Sequence, residues 1–414
     1  MRAFERDRLG FLLHQRQYGD LVRFDDELYM VNSPVLAEAV LKHTNSTYAI
    51  TRDLLGEEAD GGSASEDLVR WMRARKLAGH GLNRTGVRAA EERLAATVVR
   101  HAESWRALGT IDAIPALEEL SAHLIAEFCL GPEVGNVPAL VARLQDALLP
   151  GTVSLPARWP SLRKRRLHRV GRELASEVSR LIEGRRTRQE GCSGVVADLL
   201  NAACDEGAIT PRGAASIVVA ILFAAHETTA AALAWLFLLL DQQPDVHSRV
   251  RDEVDGELTG RLPTASDVPR LVVTEAVVKE TLRLYPPLWM LERTVEQPTE
   301  LAGHPLHPGQ RVAVSPFVLH RDPRHYDQPT AFRPDRWIER STATPLPKYA
   351  FMPFGGGPRN CLGAHFAMVA MVVATATLAG RYRLSRTAGT VPVFSTRTIL
   401  QPRGLAFDVA TRSP

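Results

Sequence analysis

Residues 214–240, AASIVVAILFAAHETTAAALAWLFLLL, are an almost unbroken apolar stretch. As a helix rising 1.5 Å per residue it reaches about 40 Å, enough to cross a bilayer. Two architectures accommodate it: a membrane span, or a helix through the centre of a large α-rich protein. The second is favoured because His226, Glu227, Thr228 and Thr229 stand near the middle, where charge without partners is costly in hydrocarbon. No second span is apparent in the sequence. Pro211 is placed to begin this central helix and Pro244 to follow its end.

The rest of the chain suits such a core. Of 414 residues, 45% are hydrophobic and 23% charged, the balance of a globular protein with a substantial interior. No repeat, low-complexity tract or Gly/Ser linker divides it, so one large domain over 1–414 is expected. A net charge of +3 is too small to argue for nucleic acid. The basic run LRKRRLHR at 162–169 reads as a solvated helix face. MRAFERDRLGFLLHQ at the N-terminus has no apolar signal core, which points to a cytoplasmic protein.

Periodicity places helices over 34–42 and through most of 66–258, with breaks near Gly109, Gly131, 150–160 and Gly191. A further helix is expected over 267–284, stopped by Pro286-Pro287. LVRFDDELYMVNS reads as a hairpin turning at Asp25-Asp26, and LERTVEQPTELAGHPLHPGQRVAVS as a small sheet. One more helix, 362–380, precedes strand-like segments at the C-terminus. The fold class is therefore mainly α with a small β region.

Four cysteines occur, Cys129, Cys192, Cys204 and Cys361, with no CxxC pair and no zinc-like spacing. The first three lie in ordinary helical contexts. Cys361 differs: FGGGPRNCLG, residues 354–363, sets it behind three glycines, a proline and an arginine, with a helix to follow. Glycine serves where backbone bends unusually or approaches something closely. A helix N-terminus favours a thiolate. The segment is suited to presenting a sulfur anion to something large and flat, or to a metal.

Phe354, Gly357, Arg359, Cys361 and Gly363 meet the cysteine signature Phe-x-x-Gly-x-Arg-x-Cys-x-Gly, and the chain resembles the cytochrome P450 family over nearly its whole length. The resemblance implies the single-domain P450 fold, haem b, and Cys361 as axial ligand of the haem iron. It implies that Arg359 pairs with a haem propionate, that Phe354 packs beside the sulfur, and that Gly363 belongs to the same cofactor loop. AAHETT, Ala224–Thr229, matches the family's oxygen-activating stretch, so Glu227 and Thr228 are expected to assist proton delivery; Ala225 stands where a glycine is usual. HETTA also suggests the zinc motif HExxH, but residue 230 is Ala and that motif fails. His226 is expected to be a helix residue with a local partner.

Glu280 and Arg283, a turn apart and followed by Tyr-Pro-Pro, match the family's buried brace of the cysteine loop, completed by Arg336 in FRPDRW. Trp71 and Arg75 share a helix face and, with Arg293 and Arg359, supply three cations and an indole for two propionates. Arg70, Arg73 and Lys76 form a stripe turned away from Trp71 and Arg75, a candidate dock for an acidic ferredoxin. The substrate pocket is expected at the 47–64 loop, the break at 150–161, Phe223, Ala224, Leu288, Trp289, Leu291 and the tail at Thr398 and Ile399. These side chains suit a hydrophobic small molecule.

The activity implied is monooxygenation, chiefly hydroxylation, in natural-product biosynthesis. No flavin or iron–sulfur module is expected, so electrons come from a separate ferredoxin and reductase, and the protein is expected to be monomeric. Oxidative C–C or C–O coupling of aromatic units is the alternative; a haem sensor without turnover is the remote one, and the Glu227–Thr228 pair argues against it.

Overall fold

The computed structural model describes residues 4, 7–50, 64–148, 162–188, 195–207, 209–339 and 345–412. In chain order, α1 (Arg8–Gln15), β1 (Leu21–Arg23), β2 (Leu28–Val31), α2 (Pro34–Lys42) and β3 (Tyr48–Ala49) come first. A helical region follows: α3 (Ala64–Gly81), α4 (Arg84–Ala89), α5 (Glu91–Leu108), β4 (Thr110–Asp112), α6 (Ala113–Leu130), α7 (Val137–Leu148), α8 (Leu162–Arg188), α9 (Val195–Asp205), α10 (Pro211–Gln242), α11 (Pro244–Leu258) and α12 (Val272–Leu284). Strands β5 (Leu291–Val295), β6 (Thr299–Leu301), β7 (His304–Leu306) and β8 (Arg311–Val314) come next, then short helices α13 (Pro316–Leu319) and α14 (Asp335–Glu339). Helix α15 (Ala364–Arg381) leads to β9 (Tyr382–Arg386), β10 (Val393–Ser395), β11 (Gln401–Arg403) and β12 (Ala406–Thr411).

These elements form two compact units interleaved along the chain. The first comprises Met1–Gly62, Ala276–Cys361 and Phe394–Pro402; the second comprises Ser63–Glu275, Leu362–Val393 and Arg403–Pro414. Each is assembled from distant segments, so no compositional linker marks the boundary.

The first unit is built on a mixed sheet in the order β1-β2-β8-β5-β3. The expected N-terminal hairpin, β1 with β2, pairs in parallel with β8 through Leu28↔Arg311 to Val31↔Val314. β5 runs antiparallel to β8, and Tyr48 of β3 pairs with Val295. Strands from the two β regions foreseen at separate places in the sequence thus join in one sheet, while β6 and β7 pair with each other in a second. Its core gathers Tyr29, Val31, Val40, Leu41, Val312, Val314 and Met352.

The second unit is helical around α10. Thr210 caps that helix, its side chain accepting from the Gly213 amide at 3.1 Å, and Pro211 occupies the first turn. Every residue from Thr229 to Leu240 is buried. Helix α15 is likewise buried from Val369 to Ala379, and Phe366 packs on Phe128 of α6 with ring centroids 4.6 Å apart. Both α10 and α15 are long and apolar enough to cross a membrane by length and composition, so the sequence expectation of a single such segment is corrected. The helix expected over 267–284 begins instead at Val272: Pro269 lies inside a 3₁₀ turn, Ala265–Arg270, that is closed by a reciprocal Thr264–Asp267 cap.

Candidate active site

The loop before Cys361 is shaped by its glycines. Gly355 and Gly357 have φ of +70° and +68°, the left-handed region that glycine adopts without penalty. A Cβ on Gly357 would lie 1.9 Å from the Leu41 carbonyl oxygen, and one on Gly356 would lie 2.1 Å from the Tyr349 ring. The loop is therefore pressed against α2 and Tyr349 at backbone distance. The Cys361 amide donates to the Phe354 carbonyl at 2.7 Å, closing the turn, and the Cys361 side chain is exposed. Gly363 is the N-cap of α15, and a Cβ there would meet no described atom within 4 Å.

In β5, Leu291, Arg293 and Val295 project to one side by the strand's two-residue period, so a guanidinium stands in register with core side chains. Arg293 is buried, donating to Thr44 Oγ1 at 2.9 Å and the Glu292 carbonyl at 2.8 Å. It has no carboxylate in ion-pair reach among the described residues. Burial first, and then the charge of Arg359, push it down to about 10. Arg359 Nε donates to Asn45 Oδ1 at 2.9 Å. Two guanidinium groups that repel one another, one of them buried, make a place for an anionic group. An exposed cysteine on a thin loop together with this paired cationic site fits a haem with its carboxylates.

The Glu280 carboxylate is fully buried and is the centre of a dense network. Arg283 donates to both of its oxygens at 2.8 and 2.7 Å, Arg336 Nε at 3.0 Å, the Arg333 amide at 2.9 Å and Trp337 Nε1 at 2.9 Å. Burial alone would raise this carboxyl, but the hydrogen bond and charge of Arg283, the Arg333 amide and the charge of Arg336 outweigh it and hold the group below its ordinary value. Arg283 also donates to the carbonyls of His320, Pro329 and Ala331. Burial, then the charges of Arg283 and Arg321, push His320 down to about 3, so its ring is neutral. Its Nδ1 lies 3.3 Å from the Arg283 carbonyl and takes the proton, leaving Nε2 to accept from the Met352 amide at 2.8 Å. The network thus reaches the backbone that opens the cysteine loop, since Met352 O accepts from the Gly355 amide at 3.0 Å.

On α10, Glu227 is buried and accepts from Gln145 Nε2 of α7 at 2.7 Å. Thr228 is half-buried and donates to the Ala224 carbonyl at 3.0 Å, while Ala224 itself is exposed. His226 is 1% exposed and neither ring nitrogen has a hydrogen-bond partner among the described residues. The local partner expected for it does not exist there: its side chain is turned into the helix packing, and burial pushes it down to about 4.

Trp71 and Arg75 lie one turn apart on α3; Arg75 is half-buried, and the Trp71 and Arg70 side chains lie outside the described residues. Arg73 and Lys76 are exposed. Among the expected pocket residues, Trp289 and Ile399 are buried, Phe223 and Leu291 half-buried, and Leu288 44% exposed. The tail reaches the Pro-Pro segment where the Leu400 amide donates to the Pro287 carbonyl at 2.9 Å. Residues 51–63 and 150–161 and Cys192 lie outside the described set. Cys129 is buried, with its thiol pushed up by burial, and Cys204 is half-buried. Thr44, Asn45, Gln145, His320 and Trp337 were missed as site partners. For the first four no local signal existed, because each acts across 32 to 314 residues of sequence.

A family model described as Cytochrome P450 matches residues 14–407. The chain is 32% identical over 405 residues to cyclooctatin synthase of Streptomyces melanosporofaciens, covering 93% of this chain and 87% of that protein. It is 28% identical over 421 residues to pentalenene oxygenase of Streptomyces avermitilis, covering 98% and 93%. The fold matches that of a retinoic acid-bound cyanobacterial CYP120A1 with a TM-score of 0.80 at 23% identity, over 96% and 93% of the two chains. The expected mainly α fold is thereby established, as are the haem cofactor and the monooxygenase class. With that family model matching residues 14–407, the chain belongs to the cytochrome P450 family.

Proposed function

We propose that this P450 inserts one oxygen atom of O2 into a compact, largely hydrocarbon natural product of terpene type. The observation that carries the substrate class is the near full-length likeness to two Streptomyces proteins, one named cyclooctatin synthase and the other pentalenene oxygenase. Apolar side chains at Phe223, Leu288, Trp289, Leu291 and Ile399 support it. Electrons are assigned to a separate ferredoxin and reductase, docking where Arg73 and Lys76 are exposed. The chain is read as one functional module over 1–414, monomeric and cytoplasmic.

In this reading Cys361 would hold the haem iron through its thiolate. Haem supplies the oxygen-activating redox chemistry, which a thiolate ligand promotes by pushing electron density onto the iron. Arg293 and Arg359 would hold its carboxylates, and Phe354 and Gly363 would shape the loop around the sulfur. Thr228 Oγ1 donates its proton to the Ala224 carbonyl, so its oxygen lone pairs stay available to accept one from water. Glu227, one residue earlier, is the carboxyl that delivers protons to it.

The test is incubation with pentalenene and related polycyclic hydrocarbons, ferredoxin, reductase and NADPH. A product heavier by one oxygen atom, labelled from 18O2, is expected. Products that are dimers lacking two hydrogens, or turnover only of phenolic substrates, would replace this reading by oxidative coupling.

A further inference from the structure

Three helices of the second unit meet around His226. Ser121 Oγ of α6 donates to the Ala225 carbonyl at 3.1 Å, and Gln145 Nε2 of α7 donates to Glu227 at 2.7 Å. The imidazole is thus bracketed by cross-helix bonds at the residues before and after it. Glu118 lies three residues before Ser121, on the same face of α6, and is half-buried; Asp146, next to Gln145, is exposed. Successive helix residues turn by about 100°. Glu227 is therefore a quarter turn from both His226 and Thr228, while His226 and Thr228 lie on nearly opposite faces. Glu227 is the link between the buried side of α10 and the side bearing Thr228.

Buried polar groups in native proteins are paired, with protein or with ordered water. Two nitrogens unmatched among the described residues, on a ring that is 1% exposed and feels the charge of Asp146, call for ordered water. We propose that Asp146, Glu118 and His226 form a proton inlet from the surface to Glu227, with the neutral His226 ring holding water between the carboxyl groups. The inference rests on the Glu227–Thr228 reading above and adds the route that refills it.

The charges support this. Burial, then the carboxylates of Glu227, Asp146 and Asp112, push Glu118 up to about 7, with Arg403 opposing them. Glu118 is therefore protonated in about half of the molecules at neutral pH, while Asp146 meets solvent. His226 is pushed down to about 4 by burial, with Asp146 opposing, so it stays neutral and can donate one hydrogen bond and accept another. The other charged groups on α6 are Glu119, His123 and Glu127, the last of which is tied to Arg100. The chemistry is proton transfer alone. Glu118 loses a proton through water to the Glu227 carboxylate and regains one from solvent past Asp146, so no oxidant or reductant is consumed.

Infrared pH-difference spectra of the haem-loaded protein should show a protonated-carboxyl band titrating with a midpoint near 7, absent in Glu118→Gln. Glu118→Gln and His226→Phe should each cut product formed per electron by roughly tenfold, below the full worth of a general acid because bulk water partly substitutes. In Glu118→Gln the fall in coupling above neutral pH should vanish, and Asp146→Asn, at an exposed site, should slow it without affecting folding. A wild-type spectrum without such a band, or unchanged coupling in Glu118→Gln, overturns the inlet. If Glu227→Gln and Thr228→Ala uncouple while Glu118→Gln does not, only the inlet falls. If all three leave coupling unchanged, the acid–alcohol reading falls with it.

Discussion

Replacing Glu280 by alanine removes five hydrogen-bond acceptances at once, two from Arg283 and one each from Arg336, the Arg333 amide and Trp337. Arg283 is fully buried and Arg336 nearly so, so two guanidinium charges would be left in the interior without their carboxylate. Breaking a buried ion pair from one side costs about 3–5 kcal/mol. The stranded indole N–H and amide N–H add about 1–3 kcal/mol each, although relaxation and water entry will recover part. A net loss of roughly 5 kcal/mol would consume much or all of the ~5–15 kcal/mol that holds a folded protein. The expected outcome is poor soluble yield, and weak haem retention because the same network reaches the Met352 amide through His320. Urea unfolding of whatever holoprotein can be purified measures it. The sign with pH follows from the carboxyl being held below its ordinary value of 4.5. Its contribution is present above that pH and is lost as pH falls through the lower folded value. The variant should therefore lack that part of the wild type's acid sensitivity. A Glu280→Ala holoprotein within about 1 kcal/mol of wild type, with the same acid transition, would refute the reasoning.

Four further outcomes are expected. Cys361→Ser should keep much of the helix content by circular dichroism but lose the thiolate-type carbon monoxide spectrum; an unaltered spectrum would reject the ligand assignment. Thr228→Ala should bind haem and substrate normally while diverting most electrons into peroxide, read as peroxide formed per NADPH. Gly357→Ala forces a Cβ onto the Leu41 carbonyl at a φ of +68°, and should cost about 2–4 kcal/mol through strain and displacement; equal thermal stability would show that the loop moves freely. Arg73→Glu with Lys76→Glu should slow ferredoxin-driven turnover most at low salt, where steering is strongest, and leave peroxide-driven turnover unchanged.

The sequence by itself determined the elements whose signals are local. Pro34 and Pro211 start their helices where expected, because proline's fixed φ acts on the residue that carries it. The Asp25-Asp26 turn is where β1 and β2 reverse. The spacing of Phe354, Gly357, Arg359, Cys361 and Gly363 marked the cofactor loop within ten residues. Tertiary structure alone decided which distant residue each of these meets. Gly357 is required because Leu41 lies against it, and Arg293 is a buried cation because β5 turns position 293 inward beside Thr44. His226 looks like an ordinary polar helix residue in AAHETT, yet the packing of α6 and α7 seals it away with neither nitrogen matched among the described residues. Burial and partner choice depend on how segments hundreds of residues apart close on one another, and no local propensity encodes that.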